Sequence, residues 1–127
     1  MNVLSVSYDS SLLQSREHIL RKLGLRVTSA LGFNAAIRQC EKADFDLFVL
    51  GHSIPIGDRQ SLILEFQRKC AAPVVELNRP DSHPTGLAQY VFDSTRHPRE
   101  LAEVVANILG LDASDLQEQQ KELPDVE

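Results

Sequence analysis

The run Phe45-Asp46-Leu47-Phe48-Val49-Leu50-Gly51-His52-Ser53-Ile54-Pro55 constrains the fold more than any other segment. After Asp46 it is continuously apolar up to Gly51, the pattern of a central strand in a parallel sheet, covered on both faces. Such a strand needs helices above and below it. It stops at Gly51, at the carboxyl edge of the sheet, where open α/β folds place their ligands and chemistry.

The rest of the chain alternates in the same sense. Val3 to Ser7 reads as a first strand, short, apolar and bounded by polar residues. Ser10 or Ser11 is expected to cap a helix bearing Leu12, Leu13, Ile19, Leu20 and Leu23, which Gly24 ends. Leu25 to Leu31 is a second strand, and Gly32 opens a helix with Phe33, Ala36, Ile37 and Cys40 at helical spacing. Asp58 is expected to cap a third helix carrying Leu62, Ile63 and Phe66. Pro73 to Leu77 and Tyr90 to Phe92 give strands four and five. Pro98 suits the first turn of a last helix, whose stripe of Leu101, Val104, Val105, Ile108 and Leu109 runs to Gly110. Between strands four and five, Pro80, Pro84 and Gly86 leave space for one helical turn at most. The order predicts a doubly wound parallel sheet with helices on both faces.

The 127 residues suffice for one domain. Residues 1–111 carry 12 acidic and 12 basic side chains, whereas 112–127 carry six acidic residues against Lys121, which accounts for the net charge of −5. That balance gives no basic footprint for nucleic acid. No apolar run approaches the ~20 residues that span a bilayer, and the N-terminus does not read as a secretion signal, so a cytoplasmic location is expected. Residues 112–127 read as a disordered acidic tail. Cys40 and Cys70 fall on apolar positions of predicted helices and read as small buried hydrophobes. The four histidines are scattered, without metal-ligand spacing.

Taken together, "DLFVLGHSIP", "PVVEL" and "YVF" followed by "PRELAEVVANIL" resemble the receiver domain of bacterial two-component response regulators, the CheY-like fold, over residues 2 to 110. The resemblance implies a five-stranded sheet of order 2-1-3-4-5. It also implies a place in a two-component phosphorelay. Receivers hold Mg²⁺ with two acidic residues after strand one and accept a phosphoryl group on an aspartate after strand three. A hydroxyl after strand four and a lysine after strand five complete the site. Placed on that pattern, Ser7 and Tyr8 stand for the acidic pair, Gly51 for the acceptor, Asn78 for the hydroxyl and Asp93 for the lysine. Every position departs from the family. Sliding strand one by a residue would bring Asp9 into the pair, but the helix spacing to Gly24 argues against it, and no slide supplies both an acceptor and a lysine.

The resemblance therefore implies a degenerate receiver with no enzymatic activity and no cofactor or metal. Gly51 reads either as a tolerated glycine in a dead site or as a point of close approach. Asp9 and Asp93 are too thin a shell for a hard cation and read as solvated loop carboxylates. Asn78 is expected to bond to the loop after strand three. His52 has no partner that would make it a general base, and His97 is expected to cap or precede the last helix. The expected function is a phosphorylation-independent signalling module that binds a protein partner, or a second copy of itself, with no nucleic acid or membrane involved. Strand five and the last helix, with Tyr90, Phe92, Arg96, Arg99 and Glu103, form the expected surface. The alternative is a small-ligand sensor that uses the vacated pocket at the sheet edge.

Overall fold

The computed structural model describes residues 1–111, so the expected acidic tail lies outside the described residues. Five parallel strands alternate with four helices: β1 (Asn2–Ser7), α1 (Ser10–Arg21), β2 (Arg26–Leu31), α2 (Phe33–Lys42), β3 (Leu47–Leu50), α3 (Ile56–Lys69), β4 (Val74–Asn78), β5 (Tyr90–Asp93) and α4 (Pro98–Leu109). The sheet order is β2-β1-β3-β4-β5, as expected, with β3 at the centre.

The unbroken apolar stretch of β3 follows from the pleat, which sends successive side chains to opposite faces. Phe48 and Leu50 join Leu4, Val6 and Val74 under α2 and α3, where Ala36, Cys40, Leu62, Ile63 and Phe66 meet them. Leu47 and Val49 join Val3, Val75, Leu77 and Phe92 under α1 and α4, against Leu20, Leu101 and Val105. Both faces of β3 are thus dry, and all four of its residues are fully buried.

Two helix starts differ from expectation. The α1 cap is Asp9, whose carboxylate accepts from the backbone N–H groups of Ser11 and Leu12; a charged acceptor one residue upstream takes the role expected of a serine. Helix α3 begins two residues before Asp58, after Pro55. Asp58 lies in its first turn and takes the phenol of Tyr8 instead. His97 does cap α4, its Nδ1 accepting from the Arg99 N–H. Gly110 ends α4 at φ 71°, in the left-handed region that glycine enters without steric cost. Cys70 is not helical but the extended residue that ends α3. Burial, then the neighbouring Cys70, pushes the Cys40 thiol up, so it is a poor nucleophile.

No helix joins β4 to β5, as the prolines require. The connection is held by side chains of β4. Glu76 accepts from both the backbone N–H and the hydroxyl of Thr85. Asn78 donates to the carbonyls of Arg79 and Ser82, and its Oδ1 accepts from the Ser82 hydroxyl. Asn78 therefore bonds to the loop after β4, not the loop after β3. The loop from β4 folds back over its own strand end and satisfies the Asn78 amide there.

Candidate functional site

The carboxyl edge of the sheet gathers the ends of β1, β3, β4 and β5, and with them Ser7, Tyr8, Gly51, Asn78 and Asp93. Ser7 Oγ lies 3.0 Å from Ser53 Oγ and accepts from the Asp9 N–H. Ser53 Oγ in turn accepts from the Tyr8 N–H. The β1 end is thereby tied to the loop after β3 through neutral hydroxyls. The Tyr8 phenol donates to Asp58 Oδ2 at 2.8 Å. Burial, then Asp58 as acceptor and as charge, pushes the phenol up to about 12.

That shift carries a prediction. The folded state holds Tyr8 protonated more strongly than the unfolded chain does, so its contribution is complete below pH ~10 and is lost as the pH climbs through about 12. A spectrophotometric titration is expected to show a tyrosinate forming near that upper value. Asp58→Asn is expected to move it back toward the ordinary range; an unmoved titration would disprove the assignment.

Gly51 is buried at the tip of β3, its N–H bonded to Val6 O. A Cβ built there would lie 2.6 Å from Arg16 Nη1. Arg16 projects from α1 and is only 7 % exposed. Its Nη1 has no hydrogen-bond partner among the described residues. Burial pushes Arg16 below its ordinary value, opposed by Asp9. Beside it, burial and then the guanidiniums of Arg16, Arg79 and Arg59 push His52 below the usual histidine range, with Asp9 pulling the other way.

On the other side of Gly51, Arg59 of α3 is buried against β4. Its Nη1 donates to Glu76 Oε2 at 2.6 Å and to Asn78 Oδ1 at 3.1 Å, and its Nε donates to Ile54 O. Asp93 turns away and accepts from the Thr95 N–H and hydroxyl, which hold its carboxyl below the ordinary value. An open cleft of about 520 Å³ lies over this edge, with Asp9, His52, Ser53, Arg59, Arg79 and Ser82 in its wall.

No family model and no curated protein matches the chain. Solved structures do. A two-component response regulator from Clostridium difficile superposes with a TM-score of 0.75 at 20% identity, covering 87% of this chain and 96% of its own. A CheY-like response regulator receiver domain protein from Methanospirillum hungatei gives 0.72 at 20%, over 96% and 98%. The receiver domain of a Pseudomonas aeruginosa sensor histidine kinase, which has a magnesium ion coordinated in its active-site cleft, gives 0.70 at 21%, over 86% and 97%.

The fold is that of a CheY-like receiver domain.

On this receiver fold the five aligned positions do converge on one edge, except that Asp93 is occupied with Thr95. They do not fit a magnesium ion. Ser7, Tyr8 and Gly51 carry no carboxylate, and among the described residues no group of three or more His, Cys, Asp or Glu is placed to hold a metal. Hard cations need an oxygen shell, and Arg16 and Arg59 bring positive charge in its place.

The two arginines were not foreseen. Arg16 sits on a helix whose polar residues otherwise face water, and Arg59 lies beside a turn. Glu76 within "PVVEL" was the one available signal, since a carboxylate in a doubly covered strand demands a buried cation.

Of the five residues expected on a partner surface, Tyr90, Arg96, Arg99 and Glu103 are exposed. Tyr90 and Val91 on edge strand β5 are 42 % and 53 % exposed. Arg96 and Arg99 stand exposed at the start of α4, with Arg96 paired to Glu100. Glu103 is exposed further along α4. Phe92 departs from that surface. It is buried at 8 % and packs with Leu77 and Leu101, because strand alternation turns it inward between two outward neighbours.

Proposed function

We propose that this chain is a phosphorylation-independent signalling module on the receiver fold, which acts by binding a protein partner and has no enzymatic activity. What supports this role above all is Gly51 with Arg16 over it: the tip of β3 offers no nucleophile, and a guanidinium fills the approach. Hydroxyl and amide bonds tie the end of β1 to the loop after β3 and the end of β4 to its own loop. A loop that is already held has no need of a phosphoryl group to order it.

With the sheet edge closed to phosphoryl chemistry, the output falls to the surface of β5 and α4. Exposed apolar side chains beside arginines are the composition of protein interfaces, and Tyr90, Val91 and Arg99 supply it here. Incubation with Mg²⁺ and acetyl phosphate is expected to leave the intact mass unchanged, and Mg²⁺ with beryllofluoride to give no magnesium-dependent amide shifts at Gly51, Asn78 or Tyr90. A covalent phosphoryl adduct would overturn the proposal. Capture of a partner from the host is expected to be lost with Val91→Lys and Arg99→Glu, and sedimentation of the purified chain separates a homodimer from a different partner.

The open cleft of about 520 Å³ favours a second role, sensing of a small ligand at the vacated edge. Thermal stabilisation by nucleotides or metabolites, with shifts at His52, Arg79 and Ser82, would support it.

A further inference from the structure

The chain has two cysteines, Cys40 and Cys70, far apart in sequence. The fold brings them together at the amino edge of the sheet, the end opposite Gly51. Cys40 lies in the last turn of α2 and Cys70 is the residue that ends α3, and the two helices pack side by side. Cys40 is buried in the core, and Cys70 packs against the same cluster while staying partly exposed. Both line one open cavity of about 380 Å³, with Glu41, Lys42, Asp44 and Lys69 around them.

After burial, the strongest influence on the Cys40 thiol is Cys70, which acts on it as a charge and as a hydrogen-bond partner. Such an interaction needs the two sulfurs side by side. A disulfide also needs a backbone that can settle into its narrow geometry. Cys70 is extended and leads into Ala71-Ala72-Pro73, which belongs to no helix or strand. That segment can adjust where the middle of a helix could not. The two thiols are also unequal in access: the cavity opens to solvent at Cys70, whereas Cys40 is 4 % exposed. An oxidant in water therefore meets Cys70 first.

We propose that Cys40 and Cys70 form a reversible disulfide when the chain meets hydrogen peroxide, Cys70 being attacked first and Cys40 resolving it. The Cys70 sulfur attacks one peroxide oxygen. The O–O bond breaks, the sulfur is oxidised to a sulfenic acid, and the departing hydroxide takes the thiol proton and leaves as water. The Cys40 sulfur then attacks the Cys70 sulfur. The S–O bond breaks, and the second water leaves with the Cys40 proton. Two thiols and one peroxide thus give one disulfide and two waters. The pair shares no residue with the receiver positions, the cleft over Gly51 or the surface of β5 and α4, so it stands apart from the signalling role and from sensing at the sheet edge.

The test exposes the reduced full chain to a small excess of hydrogen peroxide. The intact mass is expected to fall by two hydrogens. Both thiols are expected to escape maleimide labelling in denaturant, and dithiothreitol to restore both. Peptide mapping is expected to place the link between Cys40 and Cys70 of one chain. Cys40→Ala is expected to stop at the Cys70 sulfenic acid, which dimedone traps. Cys70→Ser is expected to oxidise Cys40 at least tenfold more slowly than the wild type does. The wild-type readouts do not depend on the folding of either variant. Both thiols still labelled after exposure, sulfinic or sulfonic acid without a cross-link, a disulfide between two chains, or undiminished oxidation of Cys40 in Cys70→Ser would each overturn the proposal.

Discussion

Arg59→Met is expected to destabilise the domain by about 3–5 kcal/mol, a large share of the ~5–15 kcal/mol that holds a typical domain folded. The cost arises from what remains. Glu76 is fully buried in the sheet, and its one cationic partner among the described residues is the guanidinium 2.6 Å away. Without Arg59 the carboxylate keeps Thr85 alone, and Asn78 and Ile54 each lose a donor. Removing both charges at once is a different matter, because a buried pair replaced by apolar groups of similar volume is often close to neutral. Arg59→Met with Glu76→Leu is therefore expected to recover most of the loss. Urea unfolding of the wild type, the two single variants and the double variant closes the cycle. A single-variant loss under about 1 kcal/mol would show that the pair is not buried as described. Since Glu76 also holds Thr85, Arg59→Met is expected to speed amide exchange from Arg79 to Gln89 before the rest of the domain.

Phe48→Ala ranks beside it, at about 3–5 kcal/mol. The Phe48 ring stacks on Phe66 of α3 with centroids 4.2 Å apart and planes 9° from parallel, and it tilts against Phe45 at 5.8 Å. Phe48 is fully buried at the centre of the sheet, so the space it leaves cannot collapse without moving β3. Phe48→Leu, which keeps most of the volume, is expected to cost less than about 1.5 kcal/mol. Calorimetry of the two variants separates volume from the aromatic stack. Equal losses would mean that ring stacking, and not the cavity, carries the energy. Because β3 delivers Gly51 and Ser53 to the edge, Phe48→Ala is also expected to loosen the Tyr8 N–H to Ser53 bond.

Much of the fold was legible because it depends on short patterns. The continuous apolar run of β3, the stripe of α4 and the prolines that prevent a helix between β4 and β5 each report burial or backbone geometry within a few residues. Boundaries were less legible. Asp9 and Ser10 are both good caps, and which one serves depends on where β1 releases the chain. The candidate site was legible as a set of losses. Ser7, Tyr8, Gly51 and Asn78 do converge on one edge. Phe92 was assigned to the wrong side because a strand of four residues carries too few polar markers to fix its phase.

The sequence by itself determined a parallel α/β sheet, its order through the receiver resemblance, and the absence of an aspartate at the tip of β3. The first and the last follow from local composition and spacing, and the order follows from the resemblance alone. Tertiary structure alone decided what took the place of the missing groups: Arg16 set over Gly51, and Arg59 locked to Glu76 and Asn78. The physical reason is that the energy of a buried charge depends on partners brought together from distant parts of the chain. No window of sequence contains both an arginine and the strand ends that strip it of water.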